Sequence, residues 1–209
     1  MGVLSENAII GASAAGGYDI DQSLRFDDGD SAMLSKTFSA GNRKTWTWSC
    51  WAKLANVSDL SGNEFFLCGN PTSNHLLVIA IQNGGLEIQE YDGSFPVKLT
   101  SNEKFRDPSG WYHLVVAFDT TQATEADRVK AYVNNVEVTW SSSTYPTQDR
   151  DCFINGAFAH GIGNDIRGTD AGSALDGYLA EVHFIDGTAL DASSFGETDA
   201  ATNQWKPIE

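Results

Sequence analysis

The sequence predicts an all-β fold, a two-sheet antiparallel sandwich preceded by an extended N-terminal arm. Short runs rich in β-branched and aromatic residues alternate with clusters of Gly, Asn, Asp and Ser. Two positions carry strong hairpin signals, and helical periodicity over more than three turns is not visible. The runs that we predict as strands are 23–26, 32–37, 45–53, 64–68, 76–82, 86–91, 111–119, 129–133 and 136–140.

The chain has 209 residues, and one domain with an arm accounts for them. Residues 1–22 are small and weakly patterned, so we predict an extended arm there. A single sandwich domain then fills 23–209, since β-sandwiches commonly reach roughly 200 to 250 residues as one unit. Near the end of the chain, 189–195 is predicted as a short helix with Asp191 as its cap.

The run 45–53 shows the alternation expected of a sandwich strand. Trp46, Trp48, Cys50 and Ala52 fall on one face, which we predict to be the core. Trp51 falls on the other face, among Thr47, Ser49 and Lys53. An aromatic side chain on the outer face of a sheet is either covered by a loop or presented to a ligand. Trp51 is therefore our first candidate ligand-binding residue, and Tyr91 with Asp92, at the end of a predicted strand, is the second.

Two segments predict tight hairpins. Residues 82–85 (Gln-Asn-Gly-Gly) separate two apolar runs, and Asn134-Asn135 separates 129–133 from 136–140. Asn and Gly tolerate the positive φ that a two-residue hairpin turn requires.

The composition excludes several classes of function. Lys plus Arg is 13 and Asp plus Glu is 28, which gives a net charge of −15. Phosphate backbones and anionic lipids would repel such a chain, so we expect neither nucleic-acid binding nor membrane insertion. The N-terminus lacks the basic and then apolar pattern of a signal peptide, which predicts synthesis in a cytoplasm. Three cysteines without a short spacing predict buried, reduced thiols.

Several segments together carry a resemblance to a known family. They are 23–34 (SLRFDDGDSAML), 45–53 (TWTWSCWAK), 110–119 (GWYHLVVAFD), 130–138 (KAYVNNVEV) and 175–187 (LDGYLAEVHFIDG). In this order they resemble the concanavalin A-like, laminin-G-like jelly-roll superfamily, whose last strand returns to pair beside the first. Residues 7–18 (NAIIGASAAGGY), 194–199 (SFGETD) and 205–208 (WKPI) resemble structural proteins of tailed bacteriophages.

The resemblance implies a non-enzymatic role in a virion, as a tail fibre, head fibre or capsid-decoration component. The arm would contact other virion proteins, the domain would bind host-surface glycans, and a homo-oligomer, by analogy a trimer, is expected. The alternative is a secreted polysaccharide-active enzyme or a free lectin of the same superfamily. Laminarinase-like relatives use three carboxylates at alternate positions of one strand, and the sequence contains no such set.

Relatives of this fold often hold Ca²⁺ at the rim of a sheet, where carboxylates and carbonyls supply its oxygen ligands. If the first and last strands pair, Asp28 and Asp30 come close to Asp176. The resemblance therefore implies a candidate calcium site at Asp28, Asp30 and Asp176.

Overall fold

The computed structural model describes residues 18–57, 62–70, 74–167 and 174–209, whose strands form two large antiparallel sheets packed face to face. The six-stranded sheet consists of β1 (Leu24–Phe26), β3 (Thr45–Leu54), β8 (Tyr112–Asp119), β9 (Val129–Val133), β10 (Val136–Glu137) and β13 (Gly177–Asp186). The seven-stranded sheet consists of β2 (Leu34–Thr37), β4 (Gly62–Asn70), β5 (His75–Gln82), β6 (Gly85–Tyr91), β7 (Val97–Ser101), β11 (Trp140–Thr144) and β12 (Ala159–Ile162). A third pair consists of β14 (Gly196–Thr198) and β15 (Trp205–Pro207). The predicted all-β sandwich is thereby confirmed.

The strand order joins the beginning of the domain to its end. The six-stranded sheet has the order β1-β13-β3-β8-β9-β10, and the seven-stranded sheet has the order β11-β7-β6-β5-β4-β12-β2. Phe26 of β1 lies opposite Gly177 of β13. The expected pairing of the first strand with the last long strand is confirmed, and it places β13 beside β3 at the middle of the sheet.

The core lies between the two sheets, where the predicted alternation of β3 holds. Trp46, Trp48 and Cys50 are fully buried, and the ring of Trp46 stacks on Phe118 of β8 at 4.7 Å. The same periodicity (period 2) sends every second side chain of β5 and β6 into this core. The three cysteines are buried and unpaired, as predicted.

Both predicted hairpin turns are present. Asn134 and Asn135 have φ of 49° and 67°, so both central residues adopt the left-handed conformation of a type I′ turn. Asn83 and Gly84 have φ of 50° and 74° in the turn between β5 and β6. Asparagine and glycine are the residues that accept this conformation at the lowest steric cost.

Some local predictions were wrong. β7 and β12 were not predicted, because five- and four-residue strands carry too short a pattern. The run 136–140 is not one strand: β10 stays beside β9, whereas Trp140 already pairs with Ser101 in the other sheet. The predicted helix is a 3₁₀ turn, Ala192–Ser194, although Asp191 does cap it by accepting from the Ser193 amide.

The chain beyond β13 lies over the outer face of the six-stranded sheet. The Thr47 hydroxyl donates to the Thr188 carbonyl at 2.7 Å and accepts from the Leu190 amide at 2.7 Å. Thr47 and Ser49 are therefore buried although they point away from the core. No helix among the described residues is long and apolar enough to cross a membrane.

Candidate functional site

Trp51 lies on the outer face of the six-stranded sheet, as the sequence predicted. Its Cα is paired with His113 of β8 on one side and with Ala180 of β13 on the other. Its ring stacks on the imidazole of His113 at 4.9 Å, and only 8% of the residue is exposed. The alternatives for Trp51 were burial under a loop and presentation to a ligand. The structure combines them, because this largely covered ring lines two adjoining pockets.

The first pocket has a volume of about 280 Å³ and lies between two tryptophans. Trp51 lines one part of it and Trp111, which is 38% exposed, lines another. Asp19, Asp21 and Gln22 supply polar groups along its side. The pocket therefore offers flat apolar rings together with hydrogen-bonding groups, the combination that small-molecule sites use to hold and orient a ligand.

The second pocket, of about 270 Å³, continues along the outer face. Ser49, His113, Glu181 and His183 contribute its polar groups. Trp51 and Pro207 line both pockets. We call the two pockets together the Trp51 cleft. Its sides come from the start of the described chain, from β3, β8 and β13, and from residues 194–195 and 207–209, which lie at the two ends of the C-terminal hairpin of β14 and β15.

His113 is held as a neutral imidazole with a fixed tautomer. The indole Nε1 of Trp205 donates to His113 Nδ1 at 3.0 Å, and an indole nitrogen is a donor only. His113 Nε2 therefore carries the proton and donates to Ser49 Oγ, 2.9 Å away. Burial lowers the pKa of His113 to about 4, with a further contribution from His183. A general base must accept the hydroxyl proton, so this His113 does not activate Ser49 as a nucleophile.

Glu181 lies at an irregularity of β13, and this irregularity turns its carboxylate to the cleft. The register of β13 against β3 shifts between Ala180 and His183, and Glu181 has a φ of 46°. Such a left-handed backbone is unfavourable for a non-glycine residue, and β-bulges of this kind redirect side chains. The Tyr18 hydroxyl donates to Glu181 Oε1 at 2.7 Å, while His183 Nε2 lies 3.1 Å from Oε2. Glu181 thus fixes Tyr18, which lines the second pocket and directly precedes the segment that lines the first.

The second predicted site, Tyr91 with Asp92, lies at the end of β6. Both residues are half-buried. The Tyr91 ring lies 5.1 Å from that of Phe95, which is 45% exposed. Hydrogen bonds from Ser94 and Arg150 lower the pKa of Asp92, and the guanidinium of Arg150 lies 2.8 Å from its carboxylate. Asp92 is engaged by these protein donors, whereas Phe95 presents its ring to solvent.

The predicted calcium residues converge only in part. Asp28 and Asp30 form an exposed 3₁₀ turn directly after β1, and Asp176 precedes β13. The pKa of Asp176 is raised by burial and by the negative charges of Asp28 and Asp27. Within the described ranges, no group of three or more His, Cys, Asp or Glu side chains is arranged to hold a metal ion. The calcium site stays a prediction.

Trp51 was predicted from the sequence as a candidate site residue, whereas Trp111 and Glu181 were not. Trp111 directly precedes β8, two residues before His113, and only the register of β8 on β3 places the two tryptophans near each other. Glu181 was not predicted because it lies where the register of β13 shifts. Strand periodicity predicts the face of a residue in a regular strand, but an irregularity in a strand has no comparable sequence signal.

Comparisons with known proteins identify the family and the fold. The family model described as the concanavalin A-like lectin/glucanases superfamily matches residues 26–194. No curated protein matches the chain in sequence. Among solved structures, domain 4 of AbnA, an extracellular arabinanase from Geobacillus stearothermophilus, has a TM-score of 0.52 at 18% identity, over 73% of this chain and 64% of that one.

Two further structures have the same fold at low identity. The CBM40 of the Ruminococcus gnavus IT-sialidase has a TM-score of 0.52 at 12% identity, over 78% of this chain and 96% of that one. Domains LG4-5 of the mouse laminin α1 chain have a TM-score of 0.57 at 11% identity, over 84% of this chain and 44% of that one. The chain thus spans less than two thirds of the arabinanase and laminin chains that it matches.

Proposed function

The chain belongs to the concanavalin A-like lectin/glucanases superfamily, and from this membership and the Trp51 cleft we propose that it is a non-catalytic glycan-binding module. The observation that carries the proposal is the pair of Trp51 and Trp111 in one pocket, with Asp19, Asp21 and Gln22 beside them. An aromatic ring packs on the apolar face of a sugar, while carboxylates and amides hydrogen-bond its hydroxyls.

The size of the cleft fits a short stretch of saccharide. Each pocket, at about 280 and 270 Å³, lies near the lower end of the range of small-molecule sites, roughly 300 to 1,000 Å³. Two adjoining pockets that share Trp51 therefore suit consecutive sugar units. Two of the similar structures, the arabinanase domain and the CBM40, were determined with arabinotriose and with α2,3-sialyllactose.

The absence of catalysis belongs to the same proposal. In the hydrogen-bonded pair of Ser49 and His113 that lines the cleft, the histidine is the donor, which is the reverse of what a nucleophile requires. Glu87 and Glu90 of β6 lie on opposite faces of their strand, and Glu90 is fully buried. The paired carboxylates of a glycosidase would have to flank a common bond, which these two side chains do not.

Binding of oligosaccharides to the intact chain and to two variants tests the proposal. Trp111→Ala removes an exposed ring from the cleft, and we expect it to lower affinity about tenfold or more. Phe95→Ala is the matched control, since it removes an exposed ring beside Tyr91 and Asp92 on the other sheet. If Phe95→Ala loses binding and Trp111→Ala keeps it, the site is the one at Tyr91 and Asp92. The proposed function would be contradicted if the intact chain bound no glycan on an array at millimolar monosaccharide or micromolar polymer.

We also propose that the module is a structural component of a tailed-bacteriophage particle, in a fibre or a capsid decoration, because three of its segments resemble such proteins. Two of those segments contain β14 and β15, and Trp205 joins them to β8 through His113. The third segment, 7–18, lies almost wholly outside the described residues. Imaging of an intact particle would give its position and copy number, with a trimer expected. Unchanged incorporation after removal of residues 1–22 would remove the basis for contacts through the arm.

A further inference from the structure

The charges around the Trp51 cleft bear on which saccharides it accepts. Asp19 and Asp21 line the first pocket, and Glu181 lines the second. No lysine or arginine is among the described residues that line either pocket. The whole chain adds a net charge of −15. A ligand in the cleft therefore meets negative charge from several directions.

The acidic groups lie on more than one side of the site. Asp19 and Asp21 belong to the segment before β1, and Glu181 belongs to β13. Tyr18 joins the two, because its hydroxyl donates to Glu181 Oε1 at 2.7 Å. A sugar that packs in the first pocket thus has Asp19 and Asp21 beside it, and the hydrogen bond of Tyr18 to Glu181 holds the residue before this segment.

From this arrangement we infer that the cleft selects neutral and amino-group-bearing saccharides and rejects acidic ones. The inference rests on the proposed glycan-binding function. A protonated sugar amine beside a carboxylate makes a charge-assisted hydrogen bond, which is about twice as strong as a neutral one. A uronate or sialate carboxylate would be repelled there, since two like unit charges roughly 6 Å apart lower affinity about threefold in bulk water and about a hundredfold at an effective dielectric constant of about 20.

Charge selection and stacking are separable in this cleft. The indole rings of Trp51 and Trp111 pack on any sugar face, whatever charge the sugar carries. The carboxylates act through the charge of the ligand and are screened by salt over roughly 8 to 10 Å. Binding of a cationic saccharide should therefore weaken with added salt, whereas binding of a neutral one should not.

Titration calorimetry with three tetrasaccharides tests the inference: N-acetylglucosamine (neutral), glucosamine (cationic) and galacturonic acid (anionic) oligomers. We expect the glucosamine tetramer to bind at least as tightly as the neutral one, and the galacturonate tetramer to bind tenfold or more weakly than the neutral one. Raising the salt from about 20 to 500 mM should reduce the affinity for the glucosamine tetramer several-fold and leave that for the neutral tetramer unchanged.

Asp21→Asn, with Asp151→Asn as control, tests the role of the cleft charge itself. Both variants remove one exposed carboxylate, but Asp151 lies outside the cleft. We expect Asp21→Asn to lose about three- to tenfold in affinity for the glucosamine tetramer and nothing for the neutral one, while Asp151→Asn changes neither. Equal melting temperatures would show that both variants fold.

The outcomes separate the inference from the function on which it rests. Equal or tighter binding of the galacturonate tetramer overturns the charge selection and leaves glycan binding intact. Equal effects of Asp21→Asn and Asp151→Asn overturn the assignment of selection to the cleft. If none of the three tetramers, nor any other glycan on an array, binds, the proposed function fails and the inference fails with it.

Discussion

The indole of Trp205 donates a hydrogen bond to His113 Nδ1 over 3.0 Å and so joins the C-terminal hairpin to the middle of the six-stranded sheet. The two rings also stack, with centroids 5.9 Å apart. Pro207, two residues further on, lines both pockets of the Trp51 cleft. One contact therefore supports both the fold of the C-terminal segment and the shape of the candidate site.

Trp205→Phe should lower both the free energy of unfolding and the affinity of the Trp51 cleft for glycans. The phenyl ring keeps much of the packing but leaves His113 Nδ1 without its donor, at a cost of about 1 to 3 kcal/mol. We expect a lower free energy of unfolding in urea and a several-fold lower glycan affinity. Trp140→Phe, which changes a half-buried indole in the other sheet, is the control and should leave glycan affinity unchanged. A Trp205→Phe variant with native stability and affinity would contradict this role.

His113 makes stability depend on pH. Its folded pKa of about 4 lies below its ordinary 6.5, so on acidification the unfolded chain takes up the proton first. The contribution of His113 to the free energy of unfolding, roughly 3 kcal/mol, is fully present above pH 6.5 and is lost as the pH falls to 4. Denaturant unfolding at several pH values measures this effect. Between pH 6.5 and pH 4, the free energy of unfolding should fall less for His113→Gln than for the unaltered chain. His75→Gln is the matched control, and the same slope for both variants would count against the assignment.

Arg150 neutralises a buried carboxylate. Its guanidinium lies 2.6 Å from Glu90 Oε1 and 2.8 Å from Asp92, and the side chain of Glu90 is fully buried. Arg150→Ala leaves Glu90 without this partner, and we expect a loss of about 3 to 5 kcal/mol at pH 7. Denaturant unfolding measures it.

The pH dependence of that loss distinguishes charge from packing. Burial already raises the pKa of Glu90, and removing Arg150 raises it further. As the pH rises above about 4.3, the unfolded carboxyl ionises before the folded one, so the penalty of Arg150→Ala grows. The penalty should therefore be smaller at pH 4 than at pH 7, and adding Glu90→Gln should remove the difference. An equal penalty at both pH values would attribute the loss to packing.

Calcium should stabilise the chain if Asp28, Asp30 and Asp176 form the predicted site. Burial and the negative charges of Asp28 and Asp27 raise the pKa of Asp176, and a bound cation would offset those charges. We expect Ca²⁺ to raise the melting temperature, EDTA to lower it, and Asp176→Asn to remove the response. Asp149→Asn, which alters an exposed aspartate paired with Lys44, is the control. A melting temperature that EDTA leaves unchanged argues against a structural ion.

Local pattern was sufficient for much of the fold. Alternation placed Trp46 and Trp48 in the core, and Asn134-Asn135 predicted a turn in which both residues have positive φ. It failed at β12, whose four residues are too few to show a period, and at Trp140, where the chain changes sheets. Alternation indicates which side of a strand is buried but not which sheet the strand joins.

The sequence by itself determined the all-β class, the turns, the face on which Trp51 lies and the acidity of the molecule. The tertiary structure decided the cleft, because Trp51 and Trp111 come from different strand regions and line one pocket through the register of β8 on β3. Its two main hydrogen bonds join residues far apart in the chain, Tyr18 to Glu181 over 163 positions and Trp205 to His113 over 92. Local periodicity contains no information at such separations, since packing of the whole sandwich brings these side chains together.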